Sequence, residues 1–440
     1  MNSILNIKEG LTDDASIDGY QYYQFYPESG TQYNTPGNIT ITVNNSDNFY
    51  HPAGSWLEFE GEVVEQIDGS KYTKEAKIAF VNYGILYLFN QIKYLLGGTP
   101  IETVYNPGMV SNIMGLATLP DNFKQGAIEG WIPDTTKEID TGATGNDGFT
   151  ARQNFILGSE PNPLGSFRFA VPLKRIFGFA DDYGKIVYGF PHSLILDRSS
   201  TDDNALCHFP WVNHKVWKTP EIKAGKVVLK NIRWMLPRVT PSDVAKFSLL
   251  KQVKDQVVLD CGFRMREHQS LTVPVSNIFT WRLGIRTSPE QPRFIFLCFQ
   301  KKKVEDQSEL NTVYDNMGLT SAHVLLNNDR YPLNDFETSF KANHLDHVYT
   351  DFISFRKKFY GIDPIISPTC VGPLDFKTMY PLFCFDVSKQ SDRIKSAVTD
   401  ITLHCRFDTA VEAGCVAHVV LISDRRLRFK SDGEKLSILS

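Results

Sequence analysis

The chain has 440 residues, 42% of them hydrophobic and 22% charged, and a formal net charge of -4. This composition belongs to a folded globular protein, not a disordered or fibrous one. Without a basic surplus, the chain is not built to displace counterions from nucleic acid through bulk charge. Its length suits two large β-sandwiches of ~200–250 residues each, and its 30 Phe and 18 Tyr suit pleated surfaces on which flat rings pack.

The opening MNSILNIKEGLTDD lacks the basic region and long apolar run of a secretory signal. The expectation is a soluble protein made in the cytosol, where the sequons at Asn38 and Asn44 meet no glycosylating compartment. Period-two alternation begins at Ile39, Ile41 and Val43. It continues with Leu57, Phe59 and Val63 set against Glu58, Glu60 and Glu62. The apolar stretch from Ile78 to Leu96 is broken by Asn82, Gly84, Asn90, Gln91 and Lys93, too often for a membrane helix. Pro107 to Ala117 predicts a short helix with Val110, Ile113, Met114 and Ala117 on one face and Pro107 in its first turn. Asp134 to Phe149 predicts a long Gly/Thr/Asp surface loop. Phe167, Phe169, Val171 and Leu173 resume the alternation. Two prolines in Trp234 to Pro241 are expected to interrupt it and mark a boundary.

Beyond that boundary the alternation returns at Val257, Leu259, Cys261 and Phe263, at Phe279, Trp281, Leu283 and Ile285, and at Ile401, Leu403, Cys405 and Phe407. Phe294 to Phe299 is apolar on both faces and predicts a central, doubly covered strand; Trp281 and Phe296 are expected core residues. Phe336, Phe340, Leu345, Val348, Phe352, Phe355 and Phe359 predict a helix over about 336–360. A repeat emerges from these elements. Tyr94-Leu95-Leu96-Gly97-Gly98-Thr99 and Val324-Leu325-Leu326-Asn327-Asn328-Asp329, 230 residues apart, each read as strand, turn tolerant of positive φ, and second strand before a helix. The expected fold is therefore all-β, with two sandwiches over residues 1–240 and 241–440 and division near Pro237 to Asp243.

Motifs for chemistry are missing. Gly97-Gly98-Thr99-Pro100 lacks the phosphate-loop pattern, and neither GxSxG nor HExxH occurs. His344 and His347, near Asp346 on the expected helix, are weighed as metal ligands and read as a solvated face; His404 and His418 read as surface positions. Asp181-Asp182 and Asp202-Asp203 are weighed as calcium ligands and read as turn residues. The seven cysteines, with no CxxC pair, read as free buried thiols. Lys301-Lys302-Lys303 and Arg425-Arg426-Leu427-Arg428 are the candidate basic surfaces and read as solvated loops. No catalytic, cofactor-binding or metal residue is assigned.

Several collinear segments over roughly residues 80 to 360 carry a resemblance. They are Asn82-Tyr83-Gly84 through Tyr94, Pro172-Leu173-Lys174-Arg175-Ile176-Phe177-Gly178-Phe179, Ile232 to Pro237, Thr280 to Gly284, Pro292 to Phe296, and Leu326 to Leu333. Together they are similar to the major capsid proteins of the Polinton and adintovirus group, within the double jelly-roll lineage of virophage capsid proteins and the adenovirus hexon. The resemblance implies two adjacent, upright eight-stranded jelly rolls, each with a short inserted helix. It also implies pseudo-hexagonal trimers tiling an icosahedral shell around a DNA genome, without enzymatic activity or cofactor. Penton and minor capsid proteins would be partners, with no strong direct nucleic-acid binding and no membrane span. At 440 residues large outer towers are not expected.

Two alternatives stand beside it. A carbohydrate-binding or hydrolytic sandwich would use Trp211, Trp217 and Trp234 as a platform, with paired carboxylates. A penton or minor capsid protein would have a single jelly roll. The aromatic-rich segments Tyr20 to Tyr26, Phe123 to Trp131 and Phe209 to Trp217 are read as lying outside the regular strands, either as candidate intersubunit surfaces or as caps over the open ends of the sandwiches.

Overall fold

In the computed structural model, the described residues are 16–439 except 29, 31, 75, 124, 140–144, 159–163, 209–223, 287–289, 302–304, 335, 391–397 and 432–435. The strands of the first half are β1 (Ile17–Phe25), β2 (Gly37–Val43), β3 (Phe49–Tyr50), β4 (Trp56–Glu65), β5 (Ile78–Phe80), β6 (Phe89–Leu96), β7 (Thr99–Tyr105), β8 (Ser166–Pro172), β9 (His192–Arg198), β10 (Leu206–His208) and β11 (Gly225–Pro241). Those of the second are β12 (Leu259–Thr272), β13 (Ile278–Arg286), β14 (Gln291–Lys301), β15 (Leu319–Leu326), β16 (Asp329–Tyr331), β17 (Phe383–Asp386), β18 (Thr399–Phe407), β19 (Cys415–Ser431) and β20 (Leu436–Leu439).

The first half builds two antiparallel sheets, β1-β11-β4-β8 and β2-β9-β6-β7; the second builds β12-β19-β14-β17 and β13-β18-β15-β16. The two orders superimpose strand for strand, β1 on β12 through β11 on β19. This is one jelly roll made twice. β3 pairs antiparallel with β11 and β20 with β19, and β5 and β10 form a separate two-stranded sheet among the described residues. The expected repeat is the β6–β7 hairpin, with Gly97 and Gly98 at φ 56 and 82, and its counterpart β15–β16, with Asn327 at φ 54. Both turns need left-handed backbone, which Gly and Asn supply at least cost.

Alternation becomes burial directly. In β4, Leu57, Phe59 and Val63 are wholly buried, while Glu58, Glu60 and Glu62 face out toward Arg168, Arg233 and Lys230. In β14, Phe294 and Phe296 pack edge-on against Phe355, and Phe299 meets Phe407 on the opposite side. Both faces of this strand are thus covered. Trp281 and Phe296 are core residues, 8% and 0% exposed.

The helices depart further from expectation. They are α1 (Pro107–Thr118), α2 (Gly126–Glu129), α3 (Asp147–Leu157), α4 (Leu173–Ile176), α5 (Gly178–Asp182), α6 (Asp243–Lys254), α7 (Asp346–Tyr360) and α8 (Pro373–Thr378). Each jelly roll therefore carries more than the one short inserted helix expected. All twelve residues of α1 are buried, not one face only, because the helix is wedged against α4, α7 and β12. The expected 336–360 helix starts only at Asp346. Asn343 at φ 60 and a Ser339–His344 bridge turn the chain before it, although Phe336 and Phe340 are still buried. The expected loop Asp134 to Phe149 is anchored, not free: Asn146 caps α3 by accepting the Phe149 N–H, and Asp134 is buried against Arg152.

β11 runs through both Pro237 and Pro241 instead of stopping at them. The prolines lie past Met235, where pairing with β4 ends, so the missing N–H groups break no bond on that side. The linker then forms α6, capped by Ser242 and burying no residue.

Candidate functional site

The outer face of β12-β19-β14 is covered over its middle. There β12 meets β7, α1 and α5 of the first sandwich, α7 lies over β14, and the contact with the first sandwich is polar. Glu102 of β7, 0% exposed, accepts the backbone N–H groups of Gly178 (3.2 Å), Phe179 (2.9 Å) and Arg266 (2.9 Å). Burial pushes its carboxyl up to about 7, while those donors and the Arg266 guanidinium pull the other way. Arg266, almost wholly buried, donates to Asp181 (2.6 Å) and to the carbonyls of Lys174 (3.2 Å) and Arg175 (2.9 Å). Arg264 forks onto Asp182, donates to the Phe359 carbonyl (2.6 Å) and lies 3.5 Å over the Phe359 ring. Asp181 also accepts from the Tyr360 hydroxyl. Asp181 and Asp182 are therefore not solvated turn residues; they pin the second sandwich to the first. Gly178 permits the approach, since a Cβ there would sit 1.8 Å from the Arg264 carbonyl oxygen.

The same junction holds a histidine pair. His268 Nε2 lies 3.2 Å from His418 Nδ1 with the rings stacked, and Asn106 Nδ2 lies 2.9 Å from His268 Nδ1. His418 was expected at the surface and is buried. Alternation gave its face correctly, but that face is covered by the first sandwich. Burial lowers His418 to about 4, and burial plus its neighbour hold His268 well below the usual range. Further along, Asn112 donates to the Tyr314 hydroxyl (2.8 Å), Thr312 to Asp134 (3.1 Å), and the Tyr380 hydroxyl to the Asp134 carbonyl (2.9 Å). His404, half-buried, stacks on His323.

The aromatic segments divide. Tyr20 to Phe25 belong to β1, a regular edge strand and not a loop, and Tyr20, Tyr22, Tyr23 and Tyr26 are exposed. Tyr20 bonds His51 (2.9 Å), and Tyr22 packs on Trp56 at 4.6 Å between centroids. Trp131, by contrast, is buried against Tyr83 and Gly115, and Phe123 lies under Arg175. Trp131 thus packs within the subunit, while Ile128 of the same segment stays 60% exposed. Phe209 to Trp217, including Trp211 and Trp217, lies outside the described residues.

The remaining candidates are dispersed. His344 lies before α7, and His347 is exposed, 3.6 Å from Asp346. Asp202 is held by Arg198 (2.5 Å) and the Val227 N–H (2.7 Å), and Asp203 accepts from Gln307 (2.9 Å). Among the described residues no group of three or more His, Cys, Asp or Glu is placed to hold a metal. Trp234 is wholly buried and offers no sugar platform. All seven cysteines are free, six of them buried. Lys302 and Lys303 lie outside the described residues, and Arg425 to Arg428 lie in β19, not in a loop.

Two jelly rolls in one chain, with one strand order and a shared buried face, form an architecture that can be compared with known proteins. The sequence matches the family profile of the double jelly roll-like domain over residues 153–427, more than half of the chain. The chain belongs to the double jelly roll-like family. Similar solved structures include that of the Sputnik virophage, with a TM-score of 0.63 at 11% identity, covering 99% of this chain and 91% of that one. The mavirus major capsid protein gives 0.52 at 12% identity, covering 99% and 92%. The Faustovirus major capsid protein gives 0.55 at 10% identity, covering 96% and 92%. No curated protein matches. Both jelly rolls, and not one alone, align with each of these structures.

Proposed function

We propose that this double jelly-roll chain is the major capsid protein of a virus, a structural subunit and not an enzyme, of the Polinton and adintovirus-like group. Its two jelly rolls divide at residues 240/241. Three copies associate head to tail into a pseudo-hexagonal trimer, and trimers tile an icosahedral shell around a DNA genome. Assembly takes place inside the host cell. Penton and minor capsid proteins complete the shell, and the chain neither grips nucleic acid strongly nor uses a cofactor.

The observation that carries this reading is the polar junction of Glu102, Arg266, Asp181, Arg264 and Asp182. It turns two similar sandwiches into one block with two jelly-roll edges, the shape from which three copies give six-fold outlines. Full-length alignment with the Sputnik and mavirus structures supports it. The exposed tyrosines of β1 supply aromatic surface of the kind that obligate interfaces bury. Electron microscopy of the expressed protein under assembly conditions is the test. Closed shells or hexagonal sheets are the expected product; a persistently dispersed protein under all salt and pH conditions would count against the reading.

A further inference from the structure

The arginine-rich run Arg425 to Arg428 has no part in the junction or in β1, yet it borders an open cleft. Strand register explains why. Arg426 lies opposite Gly262, Arg425 opposite Phe263, and Asp424 opposite Arg264 on one side and Gln291 on the other. Arg264, Arg293, Arg425 and Arg426 all line one cleft of about 690 Å³, with Asp182 and Asp424 as its carboxylates; Arg426 shares the sheet face of Gly262 and Asp424, and Arg425 borders the cleft from the opposite face, beside Phe263.

The charges do not cancel. Arg264 is taken by Asp182 and Arg293 by Asp424 at 2.9 Å, while Arg428 turns away to Asp260. Among the described residues Arg425 and Arg426 have no carboxylate partner, so the cleft keeps both charges. Two further features shape it. A Cβ on Gly262 would meet nothing within 4 Å, so the floor opposite Arg426 is open. Gln390, 7% exposed on the wall, donates to the Pro292 carbonyl and leaves its own buried Oε1 without a partner.

We propose that this cleft binds a compact phosphate-bearing anion, a polyphosphate or phosphate ester, through Arg425 and Arg426. Guanidinium forks match phosphate oxygens two at a time. The volume falls within the ~300–1,000 Å³ range of small-molecule sites. Arg264 and Arg293, already neutralised, hold the walls. The inference is independent of the shell assignment.

The test is isothermal titration of the full-length protein with sodium tripolyphosphate at constant ionic strength. Saturable binding is expected, with affinity falling at least tenfold in Arg425→Gln/Arg426→Gln and unchanged in Lys430→Gln, an exposed β19 charge outside the cleft. Gly262→Leu leaves every arginine in place but fills the floor, and it should weaken binding to a similar degree with an unaltered melting curve. dATP binding more tightly than tripolyphosphate would support an esterified ligand, and equal binding would support the bare anion. Absence of saturable binding, affinity retained in both cleft variants, or binding of a single-stranded oligonucleotide but not of tripolyphosphate would overturn the proposal.

Discussion

Glu102→Gln probes the junction through pH. The Glu102 carboxyl is raised from the usual 4.5 to about 7, burial being the largest cause. A folded-state value above the unfolded one means that the group stabilises most below about 4.5. That contribution is lost as pH rises through 7. Each unit is worth ~1.4 kcal/mol, so across pH 5 to 8 the wild-type chain should lose roughly 2 kcal/mol that the glutamine variant does not. The substitution also has a pH-independent cost. Gly178 and Arg266 donate to one carboxylate oxygen and Phe179 to the other. An amide keeps a single acceptor oxygen, leaving a buried N–H unmatched at about 1–3 kcal/mol. Urea denaturation of both proteins at half-unit steps from pH 5 to 8 measures the difference. The wild-type advantage should shrink steadily with rising pH. A constant difference would show that the three N–H donors keep Glu102 charged throughout, with its pKa at or below the usual 4.5, and would refute the reasoning.

Other outcomes follow from the same geometry. Trp281→Ala should cost ~3–5 kcal/mol through lost burial and the cavity left behind; a melting shift under one degree would contradict its placement in the core. Arg266→Met strips Asp181 of its buried cation and should cost about 3 kcal/mol in chemical denaturation, with protease sensitivity increasing at the linker around α6. Tyr22→Glu, on the exposed edge strand, should release monomer in sedimentation without lowering the melting temperature; unfolding would instead mean that the ring is part of the sandwich.

The strands were legible because a half-buried strand writes its two faces into alternate residues, as Leu57, Phe59 and Val63 do against the glutamates between them. The duplicated hairpin was legible because left-handed turns restrict residue choice to pairs such as Gly97-Gly98. Alternation names a face but not its cover, so His418 was placed in water when the other jelly roll lies over it. Apolar spacing of three to five does not require a helix, and Phe336 and Phe340 reach the core from a turn. α6 escaped notice because a helix that buries nothing carries no apolar stripe. The junction was the least readable part. Glu102 is one acid in a strand-like run, and its partners lie 76 to 164 residues away. Gly178 looked like part of a family motif before the Arg264 carbonyl gave it a physical reason.

The most direct measurement of the central claim is the mass of the purified, full-length protein by light scattering across a range of concentrations. The account predicts a stable species at three times the 49.9 kDa of the chain, persisting on dilution and reduced to single chains by Tyr22→Glu. A wild-type protein that remains at 49.9 kDa at every concentration would contradict it.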